Sequence, residues 1–215
     1  MAQIIIGDKS AIADFPFEDE VHDMGDFVAA HTDILGPEVT IIARELQVPT
    51  VAGQKRIDFL AFASENSQID IVELKKDFAD EKVLLQTLRY ANWIRNNPDT
   101  VRYQIRKQDL NVNEEEIDTD AIKIVIIAPK ISQSLAELCQ YITAFDFEFI
   151  EVHRFKDKDG KVYAVTDRVE VEAMDPRPPR LQGTYDITWY KEHSVREQQI
   201  QAMGGMGSDL GNYLR

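Results

Sequence analysis

The 215-residue chain has a single cysteine, Cys139. That excludes an intramolecular disulfide and any zinc or iron–sulfur site built from several thiolates. Long apolar runs are missing too. Stretches such as Ile124 to Ala128 are far shorter than the ~20 residues that a membrane-crossing helix needs. No basic segment precedes Ile4, Ile5 and Ile6, so no secretory signal is expected, and the expected setting is a reducing, cytoplasmic one. Basic side chains are scarce, at 24 against 38 acidic, which gives a net charge of -14 and a pI near 4.7. A polycation that wraps nucleic acid is therefore excluded. Four histidines, His22, His31, His153 and His193, show no metal-ligand spacing. What is present is 44% hydrophobic and 29% charged residues, enough for a packed core and incompatible with wholesale disorder.

Residues 17 to 33 place Phe17, Val21, Met24, Phe27 and Val28 at helical spacing. Glu18, Asp19 and Glu20 fall in the first turn, where the helix dipole favours negative charge. After Gly36-Pro37 come three strand-like segments: 38 to 48, 56 to 63 and 68 to 75. Residues 79 to 96 form the clearest helix, with Val83, Leu84, Leu88, Ala91 and Ile94 on one face. Pro98 ends it, and a short helix is expected over 99 to 107. Residues 109 to 120 are polar and acidic and read as a loop. AIKIVIIA (121 to 128) is nearly all apolar, as in a strand covered on both faces. A helix over 132 to 144, capped by Ser132 or Ser134, precedes the alternating strand 145 to 155. Asp159-Gly160 then turns the chain into a last strand. The segment Asp175 to Arg180 carries three prolines and reads as a linker. A further helix is expected within 186 to 203, then a glycine-rich tail. The pattern predicts a three-layer α/β domain with a mixed sheet over residues 1–174, and a C-terminal extension over 175–215.

The chemistry gathers in residues 56 to 90. Asp58 lies in the second strand, with Glu73 and Lys75 at the end of the third. Residues two apart on a strand share a face, so Glu73 and Lys75 point one way, and Val72 and Leu74 the other. If the second and third strands form a hairpin, Asp58 comes beside Glu73. Two like charges at 4 Å repel by roughly 4 kcal/mol at an effective dielectric of 20, and a lone lysine relieves only part of that. Hard oxygen ligands of this kind suit Mg²⁺ or Mn²⁺. For an Asp with a Glu-x-Lys taken alone, a surface ion pair is the ordinary explanation. Here the triad falls on consecutive strands, and the next helix carries Gln86 and Tyr90 one turn apart on one face.

With RIDFLAF, IVELKK and QTLRYANWI in place, the sequence resembles the PD-(D/E)XK nuclease superfamily. Within it, the sequence is most similar to the catalytic domain of the archaeal and actinobacterial mismatch-specific endonucleases, over roughly residues 18 to 95. The resemblance implies a restriction-endonuclease-like αβββαβ core and a Mg²⁺-dependent (or Mn²⁺-dependent) deoxyribonuclease that hydrolyses phosphodiester bonds in DNA. It implies that Asp58, Glu73 and the carbonyl of Leu74 bind metal, that Lys75 is catalytic, and that Gln86 and Tyr90 support the site or contact the scissile strand. It also implies an acid from the first helix: Glu20, with Glu18 and Asp23 as alternatives. Ile57 stands where the motif's proline would be. The alternative is the same fold kept as a catalytically silent module that binds DNA or protein. A homodimer stays open.

Residues 54 to 107 hold ten basic and eight acidic side chains, so the cationic surface of this acidic chain is local. Lys55, Arg56, Lys76, Lys82, Arg89, Arg95, Arg102, Arg106 and Lys107 are its candidates for phosphate contacts. Cys139 shares its helix face with Leu135 and Ile142 and reads as a core thiol. Asp157-Lys158-Asp159-Gly160 lacks the later acids of a calcium loop and reads as a hairpin turn. Trp93 and Trp189 read as packing residues.

Overall fold

The computed structural model describes residues 12–50, 53–110 and 117–169. The expectations for Met1 to Ile6, for 111 to 116 of the acidic loop and for everything beyond 169 lie outside the described residues; these include the proline-rich linker, the helix within 186 to 203, Trp189 and His193. Among the described residues, no helix is long and apolar enough to cross a membrane.

The strands are β1 (Ala13–Asp14), β2 (Val39–Thr50), β3 (Gly53–Ala63), β4 (Gln68–Leu74), β5 (Phe78–Ala79), β6 (Ile122–Ala128), β7 (Lys130–Ile131), β8 (Asp146–Lys156) and β9 (Val162–Arg168). A π-helical turn, Glu20–Met24, runs into α1 (Gly25–Ala30). The other helices are α2 (Glu81–Asn96), α3 (Pro98–Lys107) and α4 (Gln133–Cys139). Seven strands form one mixed sheet in the order β1-β8-β6-β4-β3-β2, with β9 also paired to β8. β2, β3 and β4 are antiparallel neighbours, whereas β4–β6 and β6–β8 are parallel. The two parallel steps are crossovers through α2–α3 and through α4, which short hairpins cannot make. β5 and β7 form a separate two-stranded pair.

Local chemistry sets the element ends. Asp80 caps α2 by accepting from the Lys82 backbone N–H at 3.1 Å, and Pro98 starts α3 where a missing N–H costs nothing. Ser132, not Ser134, caps α4. α4 stops at Cys139 rather than running to 144. Tyr141 and Ile142 donate instead to the carbonyls of Leu138 and Cys139, three residues back, which tightens the chain as it turns toward β8. The first helix is also shorter than its periodicity suggests: a π turn, six α residues and a 3₁₀ turn, Thr32–Ile34.

Two apolar layers sandwich the sheet. Ile69 and Ile71 pack with Val83, Leu84, Ala91, Ile94, Leu135 and Cys139 beneath α2–α4. Val72 and Leu74 pack with Phe17, Met24 and Val28 beneath the first helix. Glu73 shares the parity of Ile69 and Ile71, so its carboxylate faces α2. β3 does not keep one parity. Ile57, Leu60 and Phe62 lie in the α2 layer, and Phe59 and Ala61 in the other. The alternation therefore shifts beside Asp58. The residue across from it on β2, Glu45, has a positive φ of 49°, a strained conformation for a residue with a Cβ.

Candidate active site

β3 and β4 bring the carboxylates together. Phe59 pairs with Val72, so one step further along the ladder Asp58 comes level with Glu73. Asp58 is half-buried, and its Oδ2 accepts the backbone N–H of Leu74 at 2.8 Å. Glu73 is buried at 1% exposure. Its Oε1 accepts from Lys75 Nζ at 2.8 Å and from Gln86 Nε2 at 2.7 Å. Its Oε2 is buried with no hydrogen-bond partner among the described residues. Lys75 leaves the strand, but its backbone N–H is fixed by the Ile127 carbonyl on β6 at 2.9 Å.

The Lys75 ammonium is the hub of the site. It also donates to the Leu74 carbonyl at 2.8 Å and lies 3.4 Å from Glu20 Oε2. Glu20 accepts the Lys76 backbone N–H at 3.2 Å, which ties the π turn to the strand end. Lys76 itself turns away and donates to the Glu18 carbonyl. On the other side, Gln86 Nε2 also donates to the Tyr90 hydroxyl at 2.8 Å, and that hydroxyl donates to the Arg56 carbonyl at 2.6 Å. A continuous chain of hydrogen bonds thus runs from β3 through α2 to Glu73.

The structure therefore gathers Asp58, Glu73, Leu74, Lys75, Gln86, Tyr90 and Glu20. Neither Glu18 nor Asp23 joins them. Asp23 is held by Arg154 in two hydrogen bonds of 2.7 Å each, and its Oδ2 also accepts the Glu18 backbone N–H. Sequence reasoning passed over Arg44 and Gly25. The Arg44 guanidinium bonds Asp26 at 2.7 Å and lies over the Phe59 ring at 5.4 Å. Together with Glu20, Asp58 and Leu74 it lines a small cleft. Gly25 sits beneath; a Cβ there would come within 3.2 Å of the Glu20 carbonyl and 3.5 Å of Arg44. A cation directly after the apolar run Ile41 to Ala43 was the available signal for Arg44, but its neighbours become visible only in the fold.

The electrostatics follow from crowding and burial. Burial, opposed by the Leu74 hydrogen bond and the Lys75 charge, raises the Asp58 pKa to about 6. Burial and the Asp58 charge raise that of Glu73 to about 8. Burial also pulls at the Lys75 ammonium, but Glu73, Glu20 and Asp58 outweigh it and hold its pKa above the usual lysine value. Burial and the Glu73 charge lift the Tyr90 phenol to about 12, so it stays a neutral donor. With all three acids ionised, three carboxylates thus share one ammonium. The deficit of two positive charges is that of one divalent cation. Among the described residues, no three Asp, Glu, His or Cys side chains form a ready metal cage. The fit rests instead on Asp58, the orphaned Glu73 Oε2 and the Leu74 carbonyl, all hard oxygen donors, with Glu20 beside Lys75.

Residues 20–130 match the family model described as the Endonuclease NucS C-terminal domain. No curated protein matches the chain. Among solved structures it is similar to a repair endonuclease from Pyrococcus abyssi, with 16% identity, a TM-score of 0.41, and coverage of 64% of this chain and 49% of that one. It is also similar to EndoMS in its apo form, with 14% identity, a TM-score of 0.38, and coverage of 62% and 47%. The chain spans about half the length of these structures.

Proposed function

The chain belongs to the endonuclease NucS C-terminal domain family, and from that premise we propose that it is a Mg²⁺-dependent (or Mn²⁺-dependent) deoxyribonuclease with a PD-(D/E)XK-type site. The observation that carries this reading is the Lys75 ammonium, in contact with Glu73, the Leu74 carbonyl and Glu20 at the strand end where Asp58 also lies. Asp58, Glu73 and Leu74 would hold the cation, with Glu20 as the first-helix acid. When bound, the cation would supply Lewis-acid charge to the phosphoryl oxygen and lower the pKa of a water.

The chain's own residues do the rest. Lys75 orients the attacking water and offsets the negative charge that develops on the phosphoryl oxygens. Gln86 fixes the Glu73 carboxylate through Oε1, leaving Oε2 for the metal. Tyr90, anchored on Arg56, sets the rotamer of Gln86. We place this activity in residues 1–174 and in the cytoplasm, with 175–215 as an extension that serves substrate handling or assembly.

The test is cleavage of single- and double-stranded DNA by the full chain, with Mg²⁺, with Mn²⁺ and with EDTA. Metal-dependent cleavage supports the reading. Binding of DNA with no cleavage under any metal overturns it in favour of a silent binding module, which the net charge of -14 makes the natural second reading.

A further inference from the structure

A polyanionic substrate approaching a chain of net charge -14 needs a defined cationic path. Beside the carboxylates lies a groove of about 300 Å³ lined by Lys55, Lys82, Leu85, Gln86, Arg89 and Tyr90. Among the described residues, its lining carries three cations and no carboxylate. Lys82, Leu85, Gln86 and Arg89 lie at three- and four-residue spacing and so share one face of α2. Lys55, on β3, faces them beside Arg56, whose carbonyl anchors Tyr90. The groove and the candidate active site share two residues, because Gln86 and Tyr90 also form the chain of hydrogen bonds to Glu73.

The state of Lys55 and Arg89 sets them apart from several neighbouring cations. Arg56 is paired with Glu45, Arg95 with Asp120, Arg102 with Asp99 and Lys76 with Asp77. Among the described residues, neither Lys55 nor Arg89 has an ion-pair partner. Lys82 has Asp80 at 3.3 Å, but its side chain is 92% exposed. Leu85, in the middle of the row, is 60% exposed. Lys55 on the strand and Arg89 on the helix, unpaired among the described residues, with the exposed Lys82 and one exposed apolar side chain between them, match an alternation of phosphates with the less polar sugars.

We propose that this groove is the track for the backbone of the DNA strand that is cut. Lys55, Lys82 and Arg89 hold phosphates next to the scissile one, and Leu85 lies against the intervening sugar. This rests on the nuclease reading above and adds the direction from which the strand enters the site.

The experiment compares the full chain with the K55Q/R89Q double variant and with K158Q, a control in the β8–β9 turn outside the groove. Affinity for a fluorescein-labelled oligonucleotide duplex and for its single strand is measured in EDTA across a salt series. Cleavage is then measured with Mg²⁺. The double variant should bind at least about tenfold more weakly, and its salt slope should fall by about 1.4 to 1.8, the equivalent of two phosphate contacts at ~0.7–0.9 each. KM should rise while kcat at saturation changes little, and K158Q should match wild type. Unchanged affinity and slope in K55Q/R89Q would overturn the track. A wild-type chain that binds DNA through these residues but never cuts it supports the track and sinks only the hydrolase reading. A wild-type chain that does not bind DNA overturns both.

Discussion

Asp23 and Arg154, 131 residues apart, join in two hydrogen bonds of 2.7 Å and so lock the π turn to β8. The Arg154 guanidinium also lies over the Phe17 ring at 3.9 Å and near those of Phe15 and Phe27 at 4.7 and 5.8 Å. Glu20 and Asp23 share this turn but have different tasks: Asp23 fixes the turn, and the fixed turn aims Glu20 at Lys75. Asp23→Asn should therefore cost on the order of 2–3 kcal/mol, because it leaves a buried guanidinium without its counter-charge. Urea unfolding measures this, and a variant as stable as wild type would refute the clasp. Arg154 holds the Asp23 carboxyl below the ordinary aspartate value of 3.8. Its contribution is thus present above that pH and lost as pH falls below it.

Asp58→Ala and Glu73→Ala should each abolish Mn²⁺ binding in calorimetry, since each removes one of the two carboxylates at the strand end. Glu73→Gln should do the same without lowering Tm, because a neutral amide replaces a buried, poorly satisfied carboxylate. Glu20→Gln should weaken the metal more than Glu18→Gln, whose wild-type side chain is not among the gathered groups. Wild-type Mn²⁺ affinity in all five variants would dismiss the site.

Lys75→Ala should keep the fold and lose on the order of 10²–10³ in turnover, the effect of removing one charged partner of the transition state. Lys76→Ala should lose far less, since its ammonium points to the Glu18 carbonyl. Single-turnover cleavage separates the two. A larger loss at Lys76 would contradict the roles assigned to them.

Asp70 lies fully buried, 3.1 Å from Lys123, which in turn meets Glu148 at 3.2 Å. Burial outweighs the lysine and raises the Asp70 pKa to about 6 from 3.8. A raised acid holds its proton longer when folded, so its contribution to stability falls as pH rises from 3.8 toward 6 and is then flat. Asp70→Asn removes that loss. Its stability relative to wild type should improve between pH 4 and pH 7 by on the order of 3 kcal/mol, about two pKa units. Chemical denaturation at the two pH values checks this. A pH-independent difference would show that Lys123 fully compensates the buried charge.

Much of the fold is written in local pattern. The apolar face of α2, the nearly all-apolar run of β6 and the Asp159-Gly160 turn each depend on neighbours within a few residues, and each appears where periodicity and turn chemistry put it. The hairpin of β3 and β4 follows from two strand patterns and a short turn, so the approach of Asp58 to Glu73 was readable as well. The ends of α4 and of the first helix were not. Apolar spacing continues past the point where tertiary demands, such as the turn into β8, break the helix.

The sequence by itself determined the residue types of the site and their spacing on strands and helix, because strand parity and helical pitch are local geometry. Only the tertiary structure decided which first-helix acid faces Lys75. Glu18, Glu20 and Asp23 have the same chemistry, and their directions depend on a π turn and on an arginine 131 residues away. It also decided which cations remain unpaired. Lys55 and Arg89 differ from Arg56 and Arg95 only in whether folding brings an acid beside them. Charge pairing across distant segments has no period in a sequence, so contact alone reveals it.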